Sequence, residues 1–375
     1  GKISGDLHGT GVRFGRENDN GNYVLQNSGN IGEITGQVTI STNGSYVLSQ
    51  NLWGTTNARC VSQTYIKDVD DDGTYTSVGD VRDYTYEYTA PVIGTIGGKD
   101  SKITISGTSY VFYNFGTVTN IFDGVTITAT GSNALVNGTG GGYATWHTVR
   151  TNMGYDTVKN RYETRVEEVS ERYQAQIGKI IGNVVIEAGS SAITNGGLIE
   201  EIGQGVTVKA KSGAIQNTSV TYTSIQRVFL GYDPTYVFGT RGEATNDYAF
   251  TANTAEIRKI DGATIQATAG NGAINNGGLI ETITNSRISA TGNYAVNNTS
   301  NVVTARKIYK DNTLAKEYAL TEIFEAFFKE DSSGTYTSVA GSVAPNRIET
   351  CATVPTITEI GAGNTITAAK QAINN

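Results

Sequence analysis

The sharpest chemical motif in this chain is Asp68-Val69-Asp70-Asp71-Asp72-Gly73, three carboxylates at alternate positions ahead of a glycine. In a calcium loop such acids converge on one ion, and the glycine permits the turn. The twelfth position of that loop type falls on Gly79, where a bidentate Glu belongs. Asp68, Asp70 and Asp72 are therefore a weak calcium candidate, set against a plain solvated hairpin tip. Hydrolysis of a sugar bond needs two carboxylates facing it, about 5.5 Å or about 6.5–9.5 Å apart. Acids on the coils are scattered, among them Glu33, Asp123, Glu187, Glu200, Glu201, Asp261, Glu281 and Glu359, and several recur at the same repeat position. Recurrence marks a solvated surface rather than one site. His8 and His147 stand alone, and no cysteine or histidine cluster has zinc spacing. The sequence predicts no catalytic residue and no cofactor beyond the calcium candidate.

Those residues hang on a repeat. A small-apolar pair, one free position and an amide recur nine times, with the amide at Asn27, Gln50, Asn114, Asn137, Asn195, Asn217, Asn276, Asn298 and Asn375. Asn195 to Asn217 is 22 residues, as is Asn276 to Asn298. A fixed short period means one unit stacked on copies of itself. Within each unit stand an Ile-x-x-Ile cluster, such as Ile199/Ile202, and an alternating run, such as Val125-Thr126-Ile127. Alternating β-branched residues read as strands buried on one face. Three short strands per unit, joined by tight Gly/Asn/Ser turns, predict a parallel β-helix that advances one strand spacing, about 4.8 Å, per coil. Parallel crossovers make it right-handed. The amides then read as a ladder, because stacked Asn side chains can donate to the oxygen of the next coil.

After every second coil the chain leaves the repeat, at about 52–91, 140–176, 219–255 and 301–355. These insertions hold most of the 21 Tyr and both Trp, unlike disordered linkers. Asp72-Gly73-Thr74-Tyr75-Thr76-Ser77-Val78 and Ser333-Gly334-Thr335-Tyr336-Thr337-Ser338-Val339 match, and read as hairpin turns. Four β-hairpin arms are expected, with strands preferred over a helix for Leu314–Lys329. Rigid aromatic residues concentrate at interfaces, so the Tyr-rich arms are the expected binding elements. The competing reading has the arms pack on one another and bind nothing else.

Composition narrows the partners. Net charge is −7 and no Lys/Arg stripe follows the coils, which argues against nucleic acid. No apolar run reaches the length of a membrane span, so no insertion is expected in this segment. Cys60 and Cys351 belong to arms six coils apart, on the order of 29 Å at the strand spacing, too far for a disulfide within one chain unless the arms fold along the axis.

The strings Ala192 to Ile202 and Ala273 to Asn285 resemble the passenger domains of bacterial autotransporters, an adhesin-like parallel β-helix family. The resemblance covers the nine coils and none of the arms. It implies an extracellular segment, at the bacterial cell surface or secreted, with a structural or adhesive role. No membrane barrel and no Asn-Pro-x-Gly secretion signal accompanies it, so the export route stays open. Both chain ends read as open β-edges. Gly1-Lys2-Ile3 resembles the Gly-Gly-Leu-Ile that follows Asn276, one residue short, so copies are expected to stack head to tail into a filament or to be parts of a longer passenger. The expected partners are therefore self, or surface proteins and glycans. The alternative function is a carbohydrate-active β-helix enzyme: a polysaccharide lyase, glycoside hydrolase or tailspike-like protein.

Overall fold

The computed structural model describes residues 2–3, 7–8, 22–50, 81–87, 90–138, 143–156, 161–231, 243–253, 255–299, 302–310, 313–318, 328–330, 336–338 and 347–375. Three nine-stranded sheets carry their strands in chain order, and every pairing within them is parallel. This is a right-handed parallel β-helix of nine coils. Each coil contributes an Ile-x-x-Ile strand, an alternating strand and an amide strand, as in Leu198–Ile202, Thr207–Ala210 and Ile215–Thr218.

The isoleucine spacing of three has a local cause. In Val92–Ile96 both Ile93 and Ile96 are buried while the two residues between them are not, which strict alternation would forbid. The pairing skips that point: Val118 faces Ile93 and Asn120 faces Thr95, with no bridge between Gly94 and Thr119. A Cβ at Gly94 would strike the carbonyl of Gly32 in the coil before. The strand bends there and turns both isoleucines inward. Ile34, Ile96, Ile121, Ile180, Ile202, Ile260 and Ile283 form one column and are all 0% exposed. The alternating strands add columns such as Ile105–Ile127–Ile186–Val208.

The first coil contains elements not expected from the repeat. Lys2–Ile3 pairs with Glu33–Ile34, and Leu7–His8 with Ile40–Ser41. Ile3 therefore occupies the second isoleucine position. Reading Gly1-Lys2-Ile3 as the Gly-Gly-Leu-Ile continuation placed it at the first. The register corrects this, because Ile3 pairs with Ile34 and not with Ile31.

All four arms leave after the amide strand of an even-numbered coil. Arm two is the hairpin Tyr143–Asp156/Arg161–Arg172, and arm three is Val220–Gly231/Glu243–Asn253. In arm four Val302–Lys310 pairs with both Thr313–Tyr318 and Arg347–Thr353, and Phe328–Glu330 pairs with Tyr336–Ser338. Arm four thus holds more than a single hairpin. Arms one to three join in one antiparallel sheet: Val81–Glu87 pairs with arm two, and arm two with arm three. The two-coil rhythm explains this fit. Two coils advance about 9.6 Å along the axis, and a hairpin is two strands wide at the same spacing of about 4.8 Å. Successive hairpins therefore arrive side by side with their edges in bonding range, which covers edges that would otherwise invite aggregation.

Candidate binding surface

The amide residues form an unbroken column, buried from Asn27 to Asn276. Asn27 Nδ2 donates to Gln50 Oε1 at 2.9 Å, and Gln50 Nε2 to Asn114 Oδ1 at 2.8 Å. The chain continues through Asn137, Asn195, Asn217, Asn276 and Asn298, each link 2.8 Å, and ends on Asn375 Oδ1 at 2.6 Å. Every link donates toward the C-terminal coil, so the column has a direction. Each amide nitrogen also reaches a backbone carbonyl at the neighbouring corner, such as Leu198 O from Asn137 and Glu256 O from Asn195. Six members, from Gln50 to Asn276, are 0% exposed, which only a fully satisfied amide tolerates. Three sequons share this column, at Asn137, Asn217 and Asn298; Asn137 and Asn217 are buried.

Glycine two places after the amide has two functions. Its N–H donates to the amide oxygen, as Gly116 to Asn114 at 2.9 Å and Gly197 to Asn195 at 3.2 Å. It also makes room: a Cβ at Gly116, Gly197 or Gly278 would strike the carbonyl of Pro91, Ala175 or Ala255. Those three residues lie where an arm re-enters the coil. Gly29, which precedes the first arm, meets nothing.

On coils five to seven the outer face is a lattice of ion pairs. Glu201 lies between Lys179 at 3.6 Å and Lys259 at 3.4 Å, and Lys259 also meets Asp261 at 2.9 Å. Arg258 grips Glu200 through both carboxylate oxygens at 2.8 Å and holds Glu256 at 2.9 Å. Lys209 pairs with Glu187 at 3.0 Å. Bonds from Lys259, Asn285 and Thr284 hold the Asp261 carboxyl down at about 2. Each of Glu200 and Glu201 is thus already bound by a cation, an arrangement suited to joining coils. A general acid must instead be available to substrate.

Coils one to three carry a different surface. The residue four places before the amide turns the corner in the left-handed region: φ is 62° at Tyr23, 57° at Tyr46 and 50° at Tyr110. The same corner in coils four to seven is Asn133, Ser191, Gly213 and Gly272, at 59°, 52°, 58° and 64°. Glycine and Asn adopt this backbone readily, whereas a bulky residue there is an outlier. The three tyrosines stack along the axis, with centroids 5.3 Å apart for Tyr23–Tyr46 and 5.2 Å for Tyr46–Tyr110, and ring planes nearly parallel at 17° and 10°. Tyr113 sets an edge contact on Tyr46 at 5.1 Å, and Phe115 one on Tyr113 at 4.6 Å. The four tyrosines are half-buried and Phe115 is buried. Burial first, then the neighbouring Tyr110 and Tyr23, push the Tyr46 phenol above its usual value.

The sequence reading placed aromatic binding on the arms and missed this corner. Its signal was one residue outside the repeat as written: Tyr23, Tyr46 and Tyr110 each precede the small-apolar pair. Asp68, Asp70, Asp72 and Cys60 lie outside the described residues, as do the turns at Asp72-Gly73 and Ser333-Gly334 and most of the Leu320–Phe328 run. In the arm sheet Trp146 pairs with Tyr86, and Val166 with Phe229. His147 pairs with Thr85 and Val169 in that sheet, and His8 with Ser41 in the first coil, so the two histidines are not brought together. Among the described residues no group of acids, histidines and cysteines is arranged to hold a metal. No known family, curated protein or solved structure matches this chain.

Proposed function

We propose that this chain is an extracellular structural and adhesive β-solenoid segment of a bacterial surface protein, of the autotransporter-passenger type. The observation that supports it best is where the polar groups of the coils go. The amide column and the ion-pair lattice both bond along the axis, and so serve to keep a long rod continuous. A rod of this kind presents side chains at a distance from its root, and its arms and outer corners are the parts that meet a partner. The test displays the chain on a cell lacking adhesins and measures attachment to glycan-coated and protein-coated surfaces. Attachment to neither removes the adhesive reading. Release of reducing or unsaturated sugar ends from a polysaccharide, lost on Glu200→Gln or Glu201→Gln, would replace it with the carbohydrate-active enzyme.

Self-assembly belongs to the same reading. Coil nine leaves Ile360 38% exposed, with Ile357, Ile366 and Ile373 half-buried. Ile3 and Leu7 continue the columns of Ile360 and Ile366 at the opposite end. Because the amide column donates one way, coil nine of one copy suits coil one of the next and not a second coil nine. Electron microscopy of the native material decides this. Monomers only, or a polypeptide continuous beyond Asn375, would refute non-covalent stacking.

A further inference from the structure

The aromatic corner of coils one to three is costly in a way its neighbours are not. A bulky side chain in the left-handed region is strained, and this chain accepts it at Tyr23, Tyr46 and Tyr110 in succession. The same corner is made with Asn133, Ser191, Gly213 and Gly272 in the next four coils, so the fold does not require an aromatic there. Strained positions that the scaffold could relieve are where function concentrates.

The chemistry around the corner is uniform. From Asn22 to Gly32, from Ile34 to Gln50 and from Ile103 to Phe122 there is no Asp, Glu, Lys, Arg or His. What borders the rings is hydroxyl and amide: Asn22, whose Oδ1 accepts from Ser45 N at 2.8 Å; Ser109, whose Oγ accepts from Ser132 N at 3.1 Å; and Asn133, whose Oδ1 accepts from the Thr194 hydroxyl at 2.8 Å. Aromatic carbon beside neutral donors and acceptors suits a ligand with C–H faces and hydroxyls but no charge. A phosphate, an acidic glycan or a basic peptide would find no countercharge among these residues. The tyrosine rings repeat along the axis at 5.2–5.3 Å, so the strip is linear and favours a chain over a single ring.

We propose that Tyr46, Tyr110 and Tyr113 form a binding strip for a neutral linear oligosaccharide lying along the solenoid axis. This rests on the adhesive reading and names its ligand class. The rings of Tyr46 and Tyr110 supply C–H contacts at their edges, and their phenol hydroxyls exchange hydrogen bonds with sugar hydroxyls.

The structure itself supplies clean variants. Tyr46→Gly and Tyr110→Gly remove a ring and relieve the left-handed backbone, and Tyr46→Asn copies the corner at Asn133. Binding of cellohexaose and chitohexaose to the full chain is measured by calorimetry, with hexagalacturonate as the acidic comparison. The expected result is binding of a neutral hexasaccharide, weakened on the order of tenfold by each ring removal, the equivalent of one aromatic contact. Circular dichroism and Arg258→Ala, distant on the ion-paired face, should show fold and affinity unchanged. Three results overturn the proposal: preference for hexagalacturonate, no binding of any of the three, or neutral-sugar binding that survives ring removal in folded variants. Attachment of displayed wild-type chain that persists in saturating oligosaccharide would sink the strip and leave the adhesive reading standing. Absence of attachment by the wild type would sink that reading instead.

Discussion

Coils one to three and coils five to seven share a cross-section and differ almost completely outside it. Both stack isoleucine on isoleucine and amide on amide, with the same left-handed corner. The first group covers its corner with stacked tyrosines and carries almost no charge there; the second covers its face with Lys179, Glu200, Glu201, Arg258, Lys259 and Asp261 in mutual pairs. A solenoid permits this because each coil answers only to its neighbours inside. The outside can change every few coils without disturbing the stack. Differences between coils therefore carry more information about function than the repeat does. The ion pairs are an inexpensive choice at exposed positions, whereas tyrosine at φ near 60° is an expensive one.

The largest effect should come from what the two regions share. Asn195→Ala removes an acceptor for Asn137 and a donor to Asn217, all fully buried. Gln50→Ala does the same between Asn27 and Asn114. Stranding buried amide groups costs about 1–3 kcal/mol each, so each variant should lose about 3 kcal/mol in urea unfolding. A Gln50→Ala cost far below that of Asn195→Ala would show that the aromatic coils are held by their rings and not by the column.

The interior was legible because it obeys periodicity. The amides, the Ile-x-x-Ile pairs and the alternating runs recur at fixed offsets, and a strict offset admits one stacked solution. The pairing of the arms was not legible, since it depends on the axial advance of two coils matching a hairpin's width, a fact about spacing rather than about residues. The tyrosine corner escaped for another reason. Its residue changes from Tyr to Asn, Ser and Gly along the column, so what repeats there is a backbone angle that no residue type reports. Arm four departs from a simple hairpin because Thr313–Tyr318 fills the edge of Val302–Lys310 that faces away from Arg347–Thr353.

The corner itself gives the next largest contrast. Gly213→Tyr would impose a Cβ at φ 58°, displacing the flexible end of Gln216, with Ser191 and Gly272 as neighbours in the column and no ring to stack on. It should cost about 2 kcal/mol, the left-handed penalty without compensation. Tyr46→Gly loses two stacked neighbours and the Tyr113 edge contact, at about 0.5–1.5 kcal/mol each, and regains about 1–3 kcal/mol of backbone strain, so its net cost should stay at about 1 kcal/mol. Thermal unfolding of both variants measures the asymmetry. Equal costs would mean that the corner is not strained by its side chain.

Acid should separate the two regions. Asp261 has its pKa lowered from 3.8 to about 2, so its contribution is complete above the unfolded value and is lost as pH falls through the folded one. Between about pH 4 and about pH 2 the coils around Asp261 should therefore loosen, while Ile103–Phe122, with no carboxylate, has nothing to titrate. Asp261→Asn should remove part of the fall in unfolding temperature across that window. An identical acid response in wild type and variant would mean the Lys259, Asn285 and Thr284 bonds do not stabilise the fold.

The smallest effect should come from the most conspicuous ion pairs. Arg258 is bidentate to Glu200 and also bonds Glu256, yet its side chain is 45% exposed and that of Glu200 41%. Exposed pairs lose to side-chain ordering and to salt most of what they gain from attraction. Arg258→Met keeps the aliphatic stem over the sheet and removes the charge, so its unfolding temperature should shift less than that of Tyr46→Gly. Raising salt should narrow even that difference. A shift as large as that of Asn195→Ala, persisting in high salt, would mean that coils five to seven are clamped from outside as firmly as from within. The contrast between an expensive corner and an inexpensive face would then collapse.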